Sequence, residues 1–168
     1  RQPHESWWSL NTKPGRLTLI PRAVTLAEKI NPTFLARRVQ HAKFESTLSL
    51  EVPTAPNVSA GLALFQSETH HYYFFARRTL EGVTLSLELA NGAAPTVIAS
   101  AKLPVAAHLA LRLTADEKIL TFSYATRRDV WQTFDAPGAD IIPVTVQAAG
   151  GGLHFTGAVV GPHARLEP

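Results

Sequence analysis

The sequence has no cysteine and no methionine. Without cysteine there is no disulfide, no thiolate nucleophile and no thiolate metal ligand, so core packing and hydrogen bonds must hold the fold. With no initiator methionine and Arg1 as its first residue, the chain is expected to be part of a longer protein. Charge is also scarce. Asp, Glu, Lys and Arg make up 17% of the residues and hydrophobic residues 45%, a balance that excludes a disordered polyelectrolyte. No apolar run approaches the roughly 20 residues that a membrane-spanning helix needs. The polar, aromatic stretch 1–10 has no signal-peptide pattern, and no membrane partner is expected.

A large surplus of one sign is missing too. The net charge of +3 comes from 16 basic and 13 acidic residues. Three adjacent arginine pairs, Arg37-Arg38, Arg77-Arg78 and Arg127-Arg128, would split across opposite faces of a strand rather than form a patch. No nucleic-acid partner is expected.

The signatures of catalysis are equally sparse. Glycoside hydrolysis generally needs two carboxylates about 5 to 10 Å apart, and a strand would supply them as Glu-x-Asp-x-Glu, which does not occur. Glu45, Glu51, Glu88, Asp116 and Glu117 read as outward-facing or turn positions. The seven histidines show no metal-ligand spacing, because His70 and His71 are adjacent and the others stand apart. There is no Gly-x-Ser-x-Gly elbow. Gly150-Gly151-Gly152 lacks the lysine and following helix of a phosphate loop. The chain is therefore expected to carry no catalytic residue, metal or cofactor.

What is present is period-two alternation. Phe44, Leu48, Leu50 and Val52 share one face, with Glu45, Thr47, Ser49 and Glu51 on the other. Leucines at 85, 87 and 89, at 109, 111 and 113, and the set Leu120, Phe122 and Tyr124 repeat the pattern. Weaker strand signals cover 16–20, 34–39, 61–66, 71–77, 96–103, 131–134 and 155–160, separated by turn residues such as Lys13-Pro14-Gly15, Asn91-Gly92 and Pro137-Gly138. Only 25–31 reads as briefly helical. About eleven closely spaced strands predict one all-β, antiparallel β-sandwich domain over 1–168.

Sugar binding asks for flat aromatic faces and a few polar side chains. Trp7, Trp8, Tyr72, Tyr73, Trp131, Arg37, Arg38, Gln40 and His41 are candidates. In 71–75 the aromatics occupy both faces, which predicts a central strand with a covered groove or a face packed on another domain. Alternation would also send one of Arg37 and Arg38 inward, which is costly without a partner.

Four stretches, in order, resemble a known family. They are Trp8-Ser9-Leu10 with Pro14-Gly15-Arg16-Leu17; Leu35-Ala36-Arg37-Arg38-Val39-Gln40-His41; Ala60-Gly61-Leu62 with Phe65-Gln66 and Tyr72-Tyr73; and Gly151 to Gly161, which contains Phe155-Thr156-Gly157-Ala158. The set resembles the C-terminal concanavalin-A-like, xylan-binding module of family 43 glycoside hydrolases, the β-xylosidases and α-L-arabinofuranosidases. The resemblance implies a concanavalin-A-like jelly roll packed on a five-bladed propeller that holds the catalytic carboxylates in the same chain. It also implies that the loop from Gly150 to Phe155 reaches the active-site mouth, although here Leu153 and His154 precede Phe155. The family's strand beyond Gly161 is expected to be missing, since the sequence stops soon after.

The resulting expectation is a non-catalytic accessory module acting with xylan or xylo-oligosaccharide. Its sugar-binding or mouth residues would be Arg37, Arg38, Gln40, His41, Tyr72, Tyr73, Trp131, His154 and Phe155. The alternative is a free-standing, lectin-like xylan-binding protein with no enzyme attached.

Overall fold

The computed structural model describes residues 4–145, 147–148 and 157–167. Among them the strands are β1 (Trp8–Ser9), β2 (Thr18–Leu19), β3 (Arg37–Arg38), β4 (Lys43–Glu51), β5 (Val58–Ser67), β6 (His70–Thr79), β7 (Gly82–Asn91), β8 (Thr96–Leu103), β9 (His108–Asp116), β10 (Ile119–Ala125), β11 (Gln132–Phe134) and β12 (Val159–Leu166). They form a six-stranded sheet in the order β3-β12-β5-β6-β7-β8, a four-stranded sheet β11-β10-β9-β4, and the small ribbon β1-β2. Every strand pairing within these sheets is antiparallel.

The two larger sheets pack face to face, and the sequence alternation supplies the core between them. From the four-stranded sheet come Leu50, Leu109, Leu111, Leu113, Leu120, Phe122 and Phe134. From the six-stranded sheet come Leu62, Leu64, Tyr72, Phe74, Leu85 and Leu87. Phe74 lies edge-on to Phe122, with centroids 5.4 Å apart, and 4.9 Å from Phe134. Geometry of this kind adds roughly 0.5–1.5 kcal/mol per aromatic pair beyond burial. The outer face of the four-stranded sheet is polar and open, as its half-buried pattern predicts.

The six-stranded sheet departs from that pattern, because it is covered on both faces. Opposite the core, Tyr73, Phe75 and Ala63 pack with Leu26 and the partly buried Phe34 and Phe65. The cover comes from the chain's own segment 20–35, which is laid along β12. Backbone bonds fasten it there: Leu35 N–H to Pro162 O, Ala164 N–H to Thr33 O, and Leu166 N–H to Arg22 O. The aromatics on both faces of 71–75 thus mark a central strand wrapped by its own chain.

Several expectations change. Residues 25–31 form turns and bends rather than a helix. The Glu28 carboxylate accepts from Thr25 N–H at 2.8 Å and from the Thr25 hydroxyl at 3.1 Å, the capping bond of a helix start, but the chain does not continue it into a helix. The strand expected over 34–39 shrinks to β3, because Phe34 pairs with His163 only as an isolated bridge. Pairing does not stop at Gly161. β12 runs through Pro162 to Leu166 and pairs with β5 along its whole length. Glu88, read as an outward solvated charge, is buried, since β7 lies inside a sheet covered on both sides.

Candidate functional site

Arg37, Arg38, Gln40 and His41 lie together and exposed on or just after β3, the short edge strand of the six-stranded sheet. The expectation that one of the two arginines turns inward is not met, because a two-residue edge strand leaves both side chains in water. Val39 N–H donates to Ala158 O at 2.9 Å, and Arg38 Nη1 lies 3.5 Å from Gly157 O. This polar edge therefore sits beside Gly157 and Ala158. His154 and Phe155 fall outside the described residues, as does most of the glycine-rich stretch.

Tyr72 and Tyr73 are corrections. Both are fully buried and cannot touch a sugar at the surface. Tyr72 faces the inter-sheet core and donates its hydroxyl to Asp140 O at 3.0 Å; burial pushes its phenol up to about 12. Tyr73 faces the wrapped side, where its hydroxyl donates to His163 O at 3.3 Å and bonds Ser59 Oγ at 3.1 Å. Each tyrosine is a core ring with a satisfied hydroxyl.

The wrapped side holds a buried polar cluster that sequence reading missed. Ser59, Gly61 and Ala63 of β5 share that face and are small, so side chains from the neighbouring strands lie over them. Arg165 reaches from β12 across Tyr73 and Phe75, 5.1 and 5.6 Å from their ring centroids. It grips both oxygens of Glu88 on β7, at 3.0 and 2.7 Å, while its Nε donates to Glu167 at 3.0 Å. Burial works against the Arg165 charge, but the bonds to Glu88 outweigh it and hold the guanidinium protonated. His163 bonds Thr33 O through Nδ1 at 2.9 Å, and burial drives its ring down to about 3. His71 bonds Ser67 O and is shifted downward, again by burial first. The cluster is buried and its one guanidinium is held between two carboxylates, Glu88 and Glu167, which suits a structural tie.

Trp131 stands elsewhere, just before β11 at the far edge of the four-stranded sheet. The Arg112 guanidinium lies 3.7 Å from its ring centroid, and Arg112 Nε is 3.5 Å from Glu45 Oε1. Thr47 and Ser123 flank Arg112 in register on the same open face. The fold therefore does not unite Trp131 with the arginine edge. Arg112 and Glu45 were not expected at a site. Each reads in the sequence only as one more outward charge of an alternating strand.

Comparison with known proteins sets this architecture in context. Residues 1–165 match the family described as the beta xylosidase C-terminal concanavalin A-like domain. The chain belongs to that family. It is 29% identical over 168 residues to a non-reducing end alpha-L-arabinofuranosidase of Bacteroides ovatus, covering 98% of this chain and 30% of the relative. The solved structure of the GH43B protein from the Bacteroides ovatus xyloglucan locus superposes with a TM-score of 0.85 at 25% identity, over 98% of this chain and 32% of that one. A family 43 protein of Bacillus licheniformis gives 0.86 at 19% identity over 98% of this chain and 32% of its own, a likeness of fold. The chain thus spans about a third of the length of these relatives.

It is the C-terminal concanavalin A-like module of family 43 enzymes, and two of the glycines in its recognisable stretches have structural roles. A side chain at Gly61 would collide with the Phe74 carbonyl oxygen, and one at Gly161 with that of Leu35. Gly161 is what lets the wrapping segment lie against β12.

Proposed function

We propose that this module works beside a family 43 catalytic propeller in the same, longer chain, and that it shapes the approach of xylan-derived oligosaccharides to that domain's active site. The observation that carries the reading is the β3 edge. There Arg37, Arg38, Gln40 and His41 are exposed together and tied to Gly157 and Ala158, which closely follow in sequence the stretch expected, from the family resemblance, at the active-site mouth. Guanidinium, amide and imidazole groups can bond sugar hydroxyls without independent affinity for the polymer. On this reading the chain itself performs no hydrolysis, and Phe155 or His154 supplies the mouth contact.

A second reading is an independent xylan-binding face, favoured by the stacked Arg112–Trp131 pair with Glu45, Thr47 and Ser123 on the open sheet. Isothermal titration of this chain with xylohexaose and soluble arabinoxylan separates the two. The first reading expects no saturable binding, together with a changed KM or kcat when Arg37→Ala/Arg38→Ala is placed in the full-length enzyme. Saturable binding abolished by Trp131→Ala would establish the second reading. Full-length kinetics untouched by the double arginine change would sink the first.

A further inference from the structure

At the open edge of the sandwich, β4 and the β5–β12 pair part to leave a cleft of about 490 Å³, roofed by residues 13–21. The cause is a run of small residues. Ala60 and Ala164 face each other in register at its floor beside Gly61, where larger side chains would have filled the space between the sheets. The walls are apolar and come from Leu17, Leu19, Leu48, Leu50 and Pro53. At that volume and lining the cleft has the dimensions of a small-molecule site.

The charged residues that line it are Lys13, Arg16 and Glu51, all substantially exposed and so at its mouth. Lys13 Nζ bonds both Glu51 oxygens, at 2.5 and 2.7 Å. Arg16 approaches the same carboxylate less closely, Nε to Oε1 at 3.4 Å. Two cations therefore share one anion. Among the described residues, the terminal Arg16 nitrogens donate to no protein acceptor. A planar fork left open beside an apolar cleft is shaped to take a carboxylate bidentately.

We infer that this cleft binds a small apolar monocarboxylate, with its hydrocarbon or ring body between the leucines and its carboxylate on Arg16. The inference rests on the cleft alone and is independent of the sugar-binding reading. The shared chemistry has two sources, an aromatic acid or a medium-chain aliphatic acid, and the probes distinguish them.

The test is isothermal titration of the chain with p-coumarate and with decanoate, each beside its neutral primary amide. Saturable 1:1 binding of at least one acid is expected, with its amide weaker by about tenfold or more, the worth of one charge-assisted bond. p-Coumarate alone would mark an aromatic ligand; decanoate alone, an aliphatic one. Ala60→Leu should remove binding by filling the floor. Arg16→Gln, an exposed change that spares the core, should weaken the acid about tenfold and leave the amide unchanged. Absence of binding by both acids at 5 mM (roughly the weak end of useful affinity), equal binding of acid and amide, or an acid affinity unmoved by Arg16→Gln would each overturn the proposal.

Discussion

Replacing Arg165 by methionine tests the view that the wrapped face is a structural tie. The substitution keeps most of the aliphatic stem over Tyr73 and Phe75 but removes the guanidinium, whose side chain is only 7% exposed. The Glu88 carboxylate, 8% exposed, would lose both hydrogen bonds, at 3.0 and 2.7 Å, and stay buried without a counter-charge. Removing one partner of a buried pair costs about 3–5 kcal/mol. At about 2–4 °C per kcal/mol for a domain of this size, the melting temperature should drop by roughly 6–20 °C. The assay is urea and thermal denaturation followed by far-ultraviolet circular dichroism, on Arg165→Met, Glu88→Leu and the double variant. The double variant should recover part of the loss, because the Glu88 charge is no longer orphaned, while Glu167, 11% exposed, still loses its bond to Arg165 Nε. If Arg165→Met alone stayed within 1 kcal/mol of the parent (less than about a third of the expected penalty), the pair would not be sealed from water and the reasoning would fail.

Three further outcomes are expected. Tyr73→Phe should cost about 1 kcal/mol in urea denaturation, since it gives up the hydroxyl bonds to Ser59 and the His163 carbonyl and keeps the ring. Gly161→Ala should cost about 1–3 kcal/mol and loosen the wrapping segment, seen as faster amide exchange at Leu35 and Ala164, whose N–H groups hold that segment to β12. Acid should destabilise the fold through His163. Its folded pKa is depressed to about 3 by burial, so the unfolded chain binds the extra proton below about 6.5. Stability then falls by about 1.4 kcal/mol per pH unit as pH drops from there towards the folded value. Replacement by asparagine should remove one proton from that slope, measured by denaturation between pH 4 and 6, and an unchanged slope would show that His163 titrates normally.

The fold was legible where one face of a strand meets water. β4, β9 and β10 follow the alternation of leucines with Thr, Ser, Glu and Arg, and β8 starts and ends where the sequence places it. Legibility failed where a strand is buried on both faces, because periodicity then carries no information about side. Tyr72 and Tyr73 look equally available in the sequence, yet the core takes one and the segment 20–35 covers the other. Glu88 looks solvated because its partner Arg165 is 77 residues away, and no local pattern records a pair of that separation. The arginine edge was found for a partly mistaken reason. The sequence pointed to Arg37 and Arg38 as a costly inward pair, whereas the short edge strand leaves both outside.

These placements limit where any partner can act. The broad inner faces of the two larger sheets are spent on each other, and segment 20–35 covers part of the remaining face of the six-stranded sheet. Among the described residues, the arginine edge at β3, the open face around Arg112 and Trp131, and the cleft beneath residues 13–21 remain open to a ligand or neighbouring domain. Among the described residues they differ in chemistry: hydrogen-bonding without an aromatic face, an aromatic with one side taken by a guanidinium, and an apolar cleft with a positively charged mouth. A sugar suits the first two and is poorly matched by the third, since leucine walls leave its hydroxyls unpaired at a cost of about 1–3 kcal/mol each. Sugar contacts and the occupant of the cleft are thus separate questions, and substitutions at Arg38, Trp131 and Arg16 should not report on one another.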